Sequence, residues 1–305
     1  MEKDIFSVSI QSLCRLSVVA KSLTLLPTHI RSSQNGQYIS PFKGRGMEFD
    51  DVRLYQQGDD IRHLDWRITA RTGKAHSKLF REERCRPVLL CVDYRQPMFF
   101  ATRGAFKAVQ AAHMASLFAW AALGQSDQIG GVIFSETRHD EVRPQLGRKA
   151  AMHLLKRLSD AHYWAEDRQT FSPEQSSQAL QEALNRLYRV AHVGSLLVIV
   201  SDFRHMTEMA FKHLSLLARH HDVIIVFMYD ELEKTLPERG FLQASDGVNQ
   251  VSFDCARLHQ AHATAFEQRY EHMKTFCQRH RLFFLACASD DDVLTLLQKH
   301  LRHRR

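Results

Sequence analysis

Short continuous runs of apolar residues recur from residue 88 onward, and longer amphipathic segments separate them. Continuous apolar strands are typical of a sheet that is covered on both faces. Strands and helices in alternation predict a doubly wound, mostly parallel α/β sheet. Residues 234–254 interrupt the rhythm with turn residues and a short alternating segment, which predicts a hairpin insertion. The predicted strands are 88–92, 130–134, 196–200, 223–227 and 282–285, and the predicted helices are 102–123, 147–160, 174–191, 206–220, 256–280 and 290–302.

The first part of the chain has a different pattern. Residues 5–26 predict a helix that packs on the body of the protein, and the stretch after it, 27–40, is polar. Residues 38–86 contain short alternating pieces that suit a β hairpin or a small sheet. We therefore predict two parts, 1–86 with the N-terminal helix and a charged β-rich subdomain, and 87–305 with the α/β domain.

The composition and charge of the chain disfavour several classes of protein. The chain has 305 residues, 44% of them hydrophobic, which allows a sizeable core and one large plus one small domain. Its net charge of +7 is a modest surplus with acids nearby, so nucleic-acid binding is disfavoured. No apolar run reaches the roughly 18 residues that a membrane span needs. The six cysteines show neither CxxC spacing nor a preceding secretory leader, so we expect a soluble, cytoplasmic protein with reduced cysteines.

The densest cluster of charge lies between residues 44 and 71. Acids and arginines alternate there with single large apolar residues such as Phe49 and Trp66. Glycines at 44, 46 and 58 mark sharp turns or the close approach of another group. Such a segment must bury small apolar clusters while it holds many opposite charges close together, so we interpret it as a fixed structure and not a linker.

This segment resembles the signature of the bacterial family called domain of unknown function 58. The matching motifs are G-x-G-x-E-F from Gly44, R-x-Y-x-x-G-D-D-x-R from Arg53 and D-W at Asp65, and later matches at Ser201-Asp202-Phe203 and from Asp230 onward keep the family's order. The resemblance implies a von Willebrand factor A-like, or Rossmann-like, α/β domain after the signature. Genes of this family commonly neighbour those of a MoxR-type AAA+ ATPase and of other von Willebrand factor A proteins. The resemblance therefore also implies these proteins as partners.

Two of the predicted strands end in aspartate. Asp93 closes the strand 88–92 and Asp202 follows the strand 196–200, so both carboxylates should emerge at the same edge of the sheet. Open parallel sheets bind ligands at that edge. The alternative is that each aspartate caps a helix or forms a structural hydrogen bond, which is common for Asp in such loops.

In von Willebrand factor A domains this edge holds a divalent cation through D-x-S-x-S, so the resemblance makes Asp93 and Asp202 the metal ligands if a metal binds. Here Arg95 and Pro97 stand where the two hydroxyls belong. The threonine of a later loop is best matched by Gln178, and the other candidates are Thr170, Ser176 and Ser177.

A degenerate metal site is therefore the expectation. Mg²⁺ demands near-ideal octahedral oxygen ligation, and a guanidinium in the site would repel it. We predict that the planar fork of Arg95 pairs with Asp93 or Asp202. No cofactor is expected, and Mg²⁺ binding is possible but disfavoured.

These observations favour a non-catalytic adaptor or co-chaperone that acts with a MoxR-type ATPase in the maturation or remodelling of a client protein. No HExxH or GxSxG motif appears in the sequence. The alternatives are a metal-dependent hydrolase or nuclease at the strand edge, and a nucleic-acid-binding protein. The predicted contact residues are Asp93, Arg95 and Asp202 at the edge, with Glu48, Arg53, Asp59, Asp60, Arg62, Asp65 and Trp66 in the charged segment.

The residues of the charged segment also have a purely structural interpretation. Trp66 and Tyr55 would then fill the core between the domains, with Asp65 and Arg71 paired beneath them. The two interpretations differ in whether a change at the surface of this segment costs stability or only binding.

Overall fold

The computed structural model of the chain describes residues 4–25, 47–82, 85–164, 171–245 and 250–301, and the side chains of 47–50, 79–82, 244–245 and 250–251 lie outside the description. The chain forms two compact units, residues 1–30 with 86–305, called here the α/β unit, and residues 31–85, called the small unit. The N-terminal helix therefore belongs to the α/β unit, whereas the predicted division grouped it with residues up to 86.

Helices and strands alternate through the α/β unit. The helices of the described residues are α1 (Ile10–Ala20), α2 (Trp66–Thr72), α3 (Lys107–Gly124), α4 (Arg148–Leu158), α5 (Ala161–Trp164), α6 (Pro173–Val190), α7 (Glu208–His220), α8 (Glu231–Lys234), α9 (Cys255–His280) and α10 (Val293–Leu301). The strands are β1 (Met47–Leu54), β2 (His76–Glu82), β3 (Pro87–Asp93), β4 (Gln128–Phe134), β5 (His139–Gln145), β6 (Leu196–Ser201), β7 (Asp222–Tyr229), β8 (Phe241–Ser245), β9 (Gln250–Asp254) and β10 (Phe283–Ala288).

The main sheet has six strands in the order β10-β7-β6-β3-β4-β5. All neighbours are parallel except β5, which pairs antiparallel with β4. This confirms the predicted doubly wound, mostly parallel fold. The prediction missed β5, because Val142 is its only buried residue and the strand shows no apolar run. The strand order reverses between β3 and β6, which opens a crevice at their carboxyl ends.

The strands of the sheet have apolar side chains on both faces. In β3, Val88, Leu90 and Val92 pack toward the side that carries α1, α3, α4 and α10, and the alternate residues Leu89 and Cys91 pack toward α6, α7 and α9. Burial on both faces explains why the strand reads as an unbroken apolar run. Cys91 in β3 and Cys287 in β10 are among the buried core residues.

Helix α3 is the most deeply buried helix of the described residues, and nearly all of its side chains are inaccessible to solvent. Its many alanines let neighbouring elements approach closely. Ser116 Oγ and Trp120 Nε1 both donate to the carbonyl oxygen of Leu13, at 2.9 and 3.0 Å, and so attach α1 to α3. The helix begins at Lys107 and not at the predicted residue 102, because Thr102 donates its N–H and its hydroxyl to Asp230.

The two smaller sheets were both predicted. In the small unit β1 and β2 form an antiparallel ribbon, which confirms a small sheet in the charged segment. In the α/β unit β8 and β9 form an antiparallel hairpin within the predicted insertion. Gly44 and Gly46, the polar stretch 27–40 and Thr170 lie outside the described residues. Among the described residues no helix is long and apolar enough to cross a bilayer.

Candidate functional site

The crevice at the strand order reversal contains a network of buried charges. Asp93 is the last residue of β3, and Asp202 follows β6 directly. Both carboxylates are inaccessible to solvent, as are the side chains of Arg95 and Lys107. Buried charges are costly unless they are paired and hydrogen bonded, so the contacts of these four side chains determine what the site can do.

Arg95 is bound most closely by Asp93. Its Nη2 lies 2.6 Å from Asp93 Oδ2, its Nε lies 3.0 Å from both carboxylate oxygens, and its backbone N–H donates to Oδ1 at 2.9 Å. A guanidinium and a carboxylate that share several bonds form one of the strongest ion pairs in proteins. The turn after β3 is therefore fixed by the side chain that ends the strand.

The remaining donors of Arg95 bridge to other elements. Nη2 lies 3.5 Å from Asp202 Oδ1, so the guanidinium stands between the two strand-terminal acids. Nη1 donates to the carbonyl oxygens of Ser176 and Arg204 at 2.9 and 3.2 Å. The predicted pairing of Arg95 with Asp93 or Asp202 is thus present in the structure, with both acids involved.

Lys107, which the sequence analysis did not single out, supplies the second buried cation. Its Nζ lies 2.7 Å from Glu233 Oε1 and 3.3 Å from Asp202 Oδ2. A lysine at the first position of an alanine-rich, fully buried helix was a signal that could have identified it, since such a residue needs a buried acid nearby.

Glu233 reaches the network through the short helix α8. Asp230 and Glu233 form a capping box, in which Asp230 accepts from the start of α8 and Glu233 Oε2 accepts the backbone N–H of Asp230. The other oxygen of Glu233 accepts from Lys107 and lies 3.0 Å from Arg204 Nη2. The D-x-x-E motif that carried the family resemblance is therefore a helix cap whose glutamate also pairs with a buried lysine.

The charges of the network balance one another. Asp93, Asp202 and Glu233 face Arg95, Lys107 and Arg204, three acids and three cations. Burial alone would raise the pKa of Asp202, but Lys107, Arg95 and Arg204 outweigh it and lower this pKa below its ordinary value. Burial alone would lower the pKa of Arg95, but Asp93 and then Asp202 raise it above its ordinary value. Both groups are ionised at neutral pH.

The loop residue nearest this network is Ser176 and not Gln178, which the alignment favoured. Ser176 gives its carbonyl oxygen to Arg95 and donates its hydroxyl to Glu136 at 3.0 Å. Gln178 is exposed on α6 and donates to Glu182, one helical turn further on. The choice of Gln178 was wrong because α6 begins at Pro173, which turns residue 176 inward and residue 178 toward solvent.

The donor set at this edge does not fit a divalent cation. Asp93 and Asp202 already accept bonds from nitrogen donors, and two buried cations lie between and beside them. No cluster of three or more metal-ligating His, Cys, Asp or Glu side chains occurs in the part of the chain that the structure describes. Mg²⁺ requires oxygen ligands and would face strong repulsion from Arg95 and Lys107.

The acidic residues of the small unit have local structural roles. Asp59 Oδ1 lies 2.6 Å from Arg53 Nη2, and its Oδ2 accepts the backbone N–H of Gln56. Asp60 caps the short 3-10 helix after it, and Asp65 caps α2 by accepting the N–H groups of Arg67 and Ile68. These aspartates therefore stabilise turns and helix starts. The predicted pairing of Asp65 with Arg71 is not found, and its nearest described cation is Lys78, at 3.9 Å.

Three large apolar residues of the small unit, Leu54, Ile61 and Trp66, are exposed. Trp66 is 68% exposed and Ile61 is 65% exposed, and Leu54 and Arg62 are exposed as well. Trp66 therefore fills no core within the small unit, and its predicted place between the domains stays a prediction. Glu48 lies on β1, and its side chain is outside the described residues. Of the predicted contact residues in this segment, Asp60, Arg62 and Trp66 are exposed in the described structure, and Arg53, Asp59 and Asp65 are partly buried.

Fold and site define the class of the protein. It is a doubly wound α/β domain with a charge-balanced network at the carboxyl edge of its sheet, and a small β-ribbon unit is part of the same chain. The chain belongs to the family described as "Protein of unknown function DUF58", whose match covers residues 51–275, well over half of the chain. The resemblance seen in the sequence is thereby confirmed.

Individual relatives and solved structures have low sequence identity to this chain. The chain is 25% identical over 217 residues to "Uncharacterized protein Rv1480" of Mycobacterium tuberculosis and to "Uncharacterized protein Mb1516" of Mycobacterium bovis, covering 71% of this chain and 66% of theirs. Among solved structures, it is similar to the conserved hypothetical protein BatB of Bacteroides thetaiotaomicron, with 12% identity, 70% and 96% coverage and a TM-score of 0.41. It is also similar to the SpRpn10 VWA domain, with 11% identity, 71% and 95% coverage and a TM-score of 0.34.

Replacing Lys107 with Met should destabilise the protein. Breaking a buried ion pair by removing one partner costs about 3–5 kcal/mol, because an uncompensated charge stays behind. Urea unfolding measures the change, and Lys149→Met, an exposed site on α4, should stay within about 0.5 kcal/mol of wild type. The double variant Lys107→Met with Glu233→Gln should recover part of the loss. Wild-type stability in Lys107→Met would contradict the role assigned to this network.

Stability should fall in acid partly through Asp202. Its folded pKa lies below the ordinary value of 3.8, so the unfolded chain binds the proton more readily. The contribution of Asp202 is thus complete at neutral pH and is lost as the pH falls below about 4. We expect the difference in unfolding free energy between wild type and Asp202→Asn to become smaller as the pH falls from 7 to 3. The exposed Asp290→Asn is the matched control, and a gap that stays constant would contradict the assignment.

Calorimetric titration with Mg²⁺ and with Mn²⁺ tests the fit of the edge to a metal. We expect no saturable binding in the micromolar range, because both strand-terminal acids are bonded to buried cations. The same titration of Asp93→Ala is the control. Micromolar binding by the wild type that disappears in Asp93→Ala would show that the acids hold a metal after all.

Proposed function

We propose that this protein is a non-catalytic adaptor or co-chaperone that recognises other proteins through its sheet edge and its small unit. The observation that carries the proposal is the burial of Arg95 and Lys107 between the acids of the crevice. With both strand-terminal carboxylates bonded to cations, the edge is a rigid, neutralised structure. It is suited to shape recognition and not to the activation of water.

Cys91, Cys287 and Asp230 of the α/β unit are poor candidates for a catalytic role. Burial raises the pKa of the Cys91 and Cys287 thiols far above the ordinary value, so neither is a ready nucleophile. Burial would raise the pKa of Asp230, but hydrogen bonds from Ser289 and Thr102 outweigh it and lower this pKa. A general base needs a pKa near the working pH, and Asp230 is moved away from it.

The exposed aromatic and aliphatic groups of the small unit support an interaction role. Trp66 and Ile61 are both mostly exposed, although their side chains are large and apolar. Tryptophan is enriched among the residues that dominate protein interfaces, since it buries a large area with few rotatable bonds. Asp60 and Asp65 cap the short helices that carry these two residues, so their positions are defined.

We propose a MoxR-type AAA+ ATPase as the partner, with other von Willebrand factor A proteins in the same assembly and a client complex that is matured or remodelled in the cytoplasm. The support for this partner is the family resemblance, in which such genes are commonly neighbours. The support from the molecule is a rigid sheet edge with an exposed apolar surface elsewhere, which suits an adaptor that contacts two proteins.

Trp66→Ala should weaken binding to the MoxR-type ATPase of the same organism by at least about tenfold, since truncation of an interface Trp often costs 2 kcal/mol or more. The melting temperature should hardly change, because an exposed side chain contributes little to folding. Surface plasmon resonance with the purified ATPase measures the affinity, and thermal unfolding measures the stability.

The control variant is Val193→Ala, which truncates an 83% exposed apolar residue of the α/β unit. It should bind as the wild type does. Equal affinities of wild type and Trp66→Ala would refute the interface at Trp66. Phosphodiesterase or phosphatase turnover that disappears with a chelator would replace the proposal with the hydrolase alternative.

A further inference from the structure

A second group of cationic and imidazole side chains lies close enough to the buried network to interact with its charges. Arg204 and His205 follow Asp202 in the loop between β6 and α7, and His262 and Arg269 lie on α9. Arg204 is 33% exposed, so this group connects the buried charges to solvent. Its position at the carboxyl edge of the sheet is where open α/β folds bind ligands.

The sequence of α9 explains why two of these side chains face the crevice. His262, Phe266, Arg269 and Met273 recur at intervals of four, three and four residues, which places them on one helix face. Phe266 and Met273 are buried in the core beside β7. The Arg269 guanidinium lies 5.4 Å from the ring centre of Phe266 and 5.7 Å from that of Phe227. The apolar contacts of this face therefore hold Arg269 in place.

Arg269 lacks a carboxylate partner within the described residues. It forms no ion pair there, and its Nε is buried without an acceptor, as is Nδ1 of His262. Burial lowers the pKa of Arg269 and Arg204 lowers it further, and these two effects outweigh the opposite effect of Asp202 and Glu233. A half-buried guanidinium next to a second one is unfavourable unless an anion joins them.

The acids nearest this group are already engaged. Asp202 pairs with Lys107 and Arg95, and Glu233 pairs with Lys107 and Arg204. Phe203 and His205 both have positive φ, 50° and 58°, which is uncommon for non-glycine residues and here reflects a local constraint. The constraint is visible, because the carbonyl oxygen of Arg204 accepts from buried Arg95. The loop that carries Arg204 is therefore rigid before any ligand arrives.

We propose that Arg204, His205, His262 and Arg269 form a binding site for a carboxylate group on an acidic segment of a partner protein. The inference rests on the proposed interaction function and names the chemistry that its sheet edge recognises. Two guanidiniums present fork-shaped donors to a carboxylate, and the imidazoles add ring N–H groups beside them.

The charge of the group favours a carboxylate over a phosphate. Arg204 is neutralised by Glu233, so Arg269 supplies the uncompensated positive charge among these four residues. Burial lowers the pKa of His205 and of His262, so both rings are neutral at pH 7. One net positive charge with neutral donors around it matches a monoanion, whereas a phosphate group carries close to two charges at that pH.

The test uses the full chain and a hexaglutamate peptide with acetylated and amidated ends. Nuclear magnetic resonance of the arginine Nε–H groups should show a saturable shift at Arg269 on titration with the peptide, and hexaglutamine should cause none. Arg269→Met should weaken binding of hexaglutamate at least tenfold. Arg279→Met removes an exposed charge from the end of the same helix and should bind as the wild type does.

Thermal unfolding separates a binding role from a structural one. Arg269→Met keeps an apolar stem against Phe227 and Phe266 and removes an unpaired charge, so its melting temperature should equal or exceed that of wild type. A clear drop would assign Arg269 to the architecture of the core instead. Equal binding of hexaglutamate by wild type and Arg269→Met, or an equal loss in Arg279→Met, would overturn the proposal.

Inorganic phosphate is the competing ligand in the same assay. It should not displace hexaglutamate at equal concentration, and binding of phosphate without binding of the peptide would overturn the assignment to a carboxylate. If hexaglutamate fails to bind while the ATPase still binds in a Trp66-dependent way, this site is refuted and the interaction function stands. If hexaglutamate binds in an Arg269-dependent way but the ATPase does not bind in a Trp66-dependent way, the carboxylate site is retained and the ATPase partner is refuted.

Discussion

The burial of the Arg95 guanidinium between the two strand-terminal acids is the constraint on which the rest of the α/β unit depends. A fully buried arginine is tolerated only when nearly all of its donors are satisfied. Asp93 accepts from Nε and Nη2, Asp202 also lies near Nη2, and the backbone carbonyls of Ser176 and Arg204 accept from Nη1. One side chain therefore sets the conformation of the turn after β3, the loop after β6 and the start of α6.

Lys107 extends the same constraint to the other face of the sheet. It starts α3, which packs between the sheet and α1, while its ammonium group reaches the acid that follows β6 and the glutamate that caps α8. Because the charges of this network balance, the crevice can be dry without carrying a net charge. The side chains of this network hydrogen bond to one another at the edge of the sheet. Arg269, whose guanidinium has no carboxylate partner among the described residues, lies outside the network.

The sequence was sufficient for features that depend on near neighbours or on repetition. Apolar runs predicted the parallel strands. The sequence Asp93-Tyr94-Arg95 predicted the ion pair between Asp93 and Arg95, since these residues are only two positions apart. Lys107 and Glu233 escaped prediction because they are 126 residues apart, and only the tertiary fold brings them together. The solvent-facing edge strand β5 lacked an apolar pattern. Trp66 was ambiguous because the sequence does not say on which side of a short helix it lies.

Glu233 takes part in two structures at once, and this affects the local unfolding of α8. One of its oxygens completes the cap of α8, and the other neutralises a lysine at the root of the central helix. Detaching the α8 segment would remove the closer of the two acids that pair with the buried Lys107 ammonium and leave only Asp202, which Arg95 shares, so local unfolding of α8 is coupled to the sheet. Amide protons of α8 and of the first turn of α3 should therefore exchange with solvent in one cooperative event, as a single foldon.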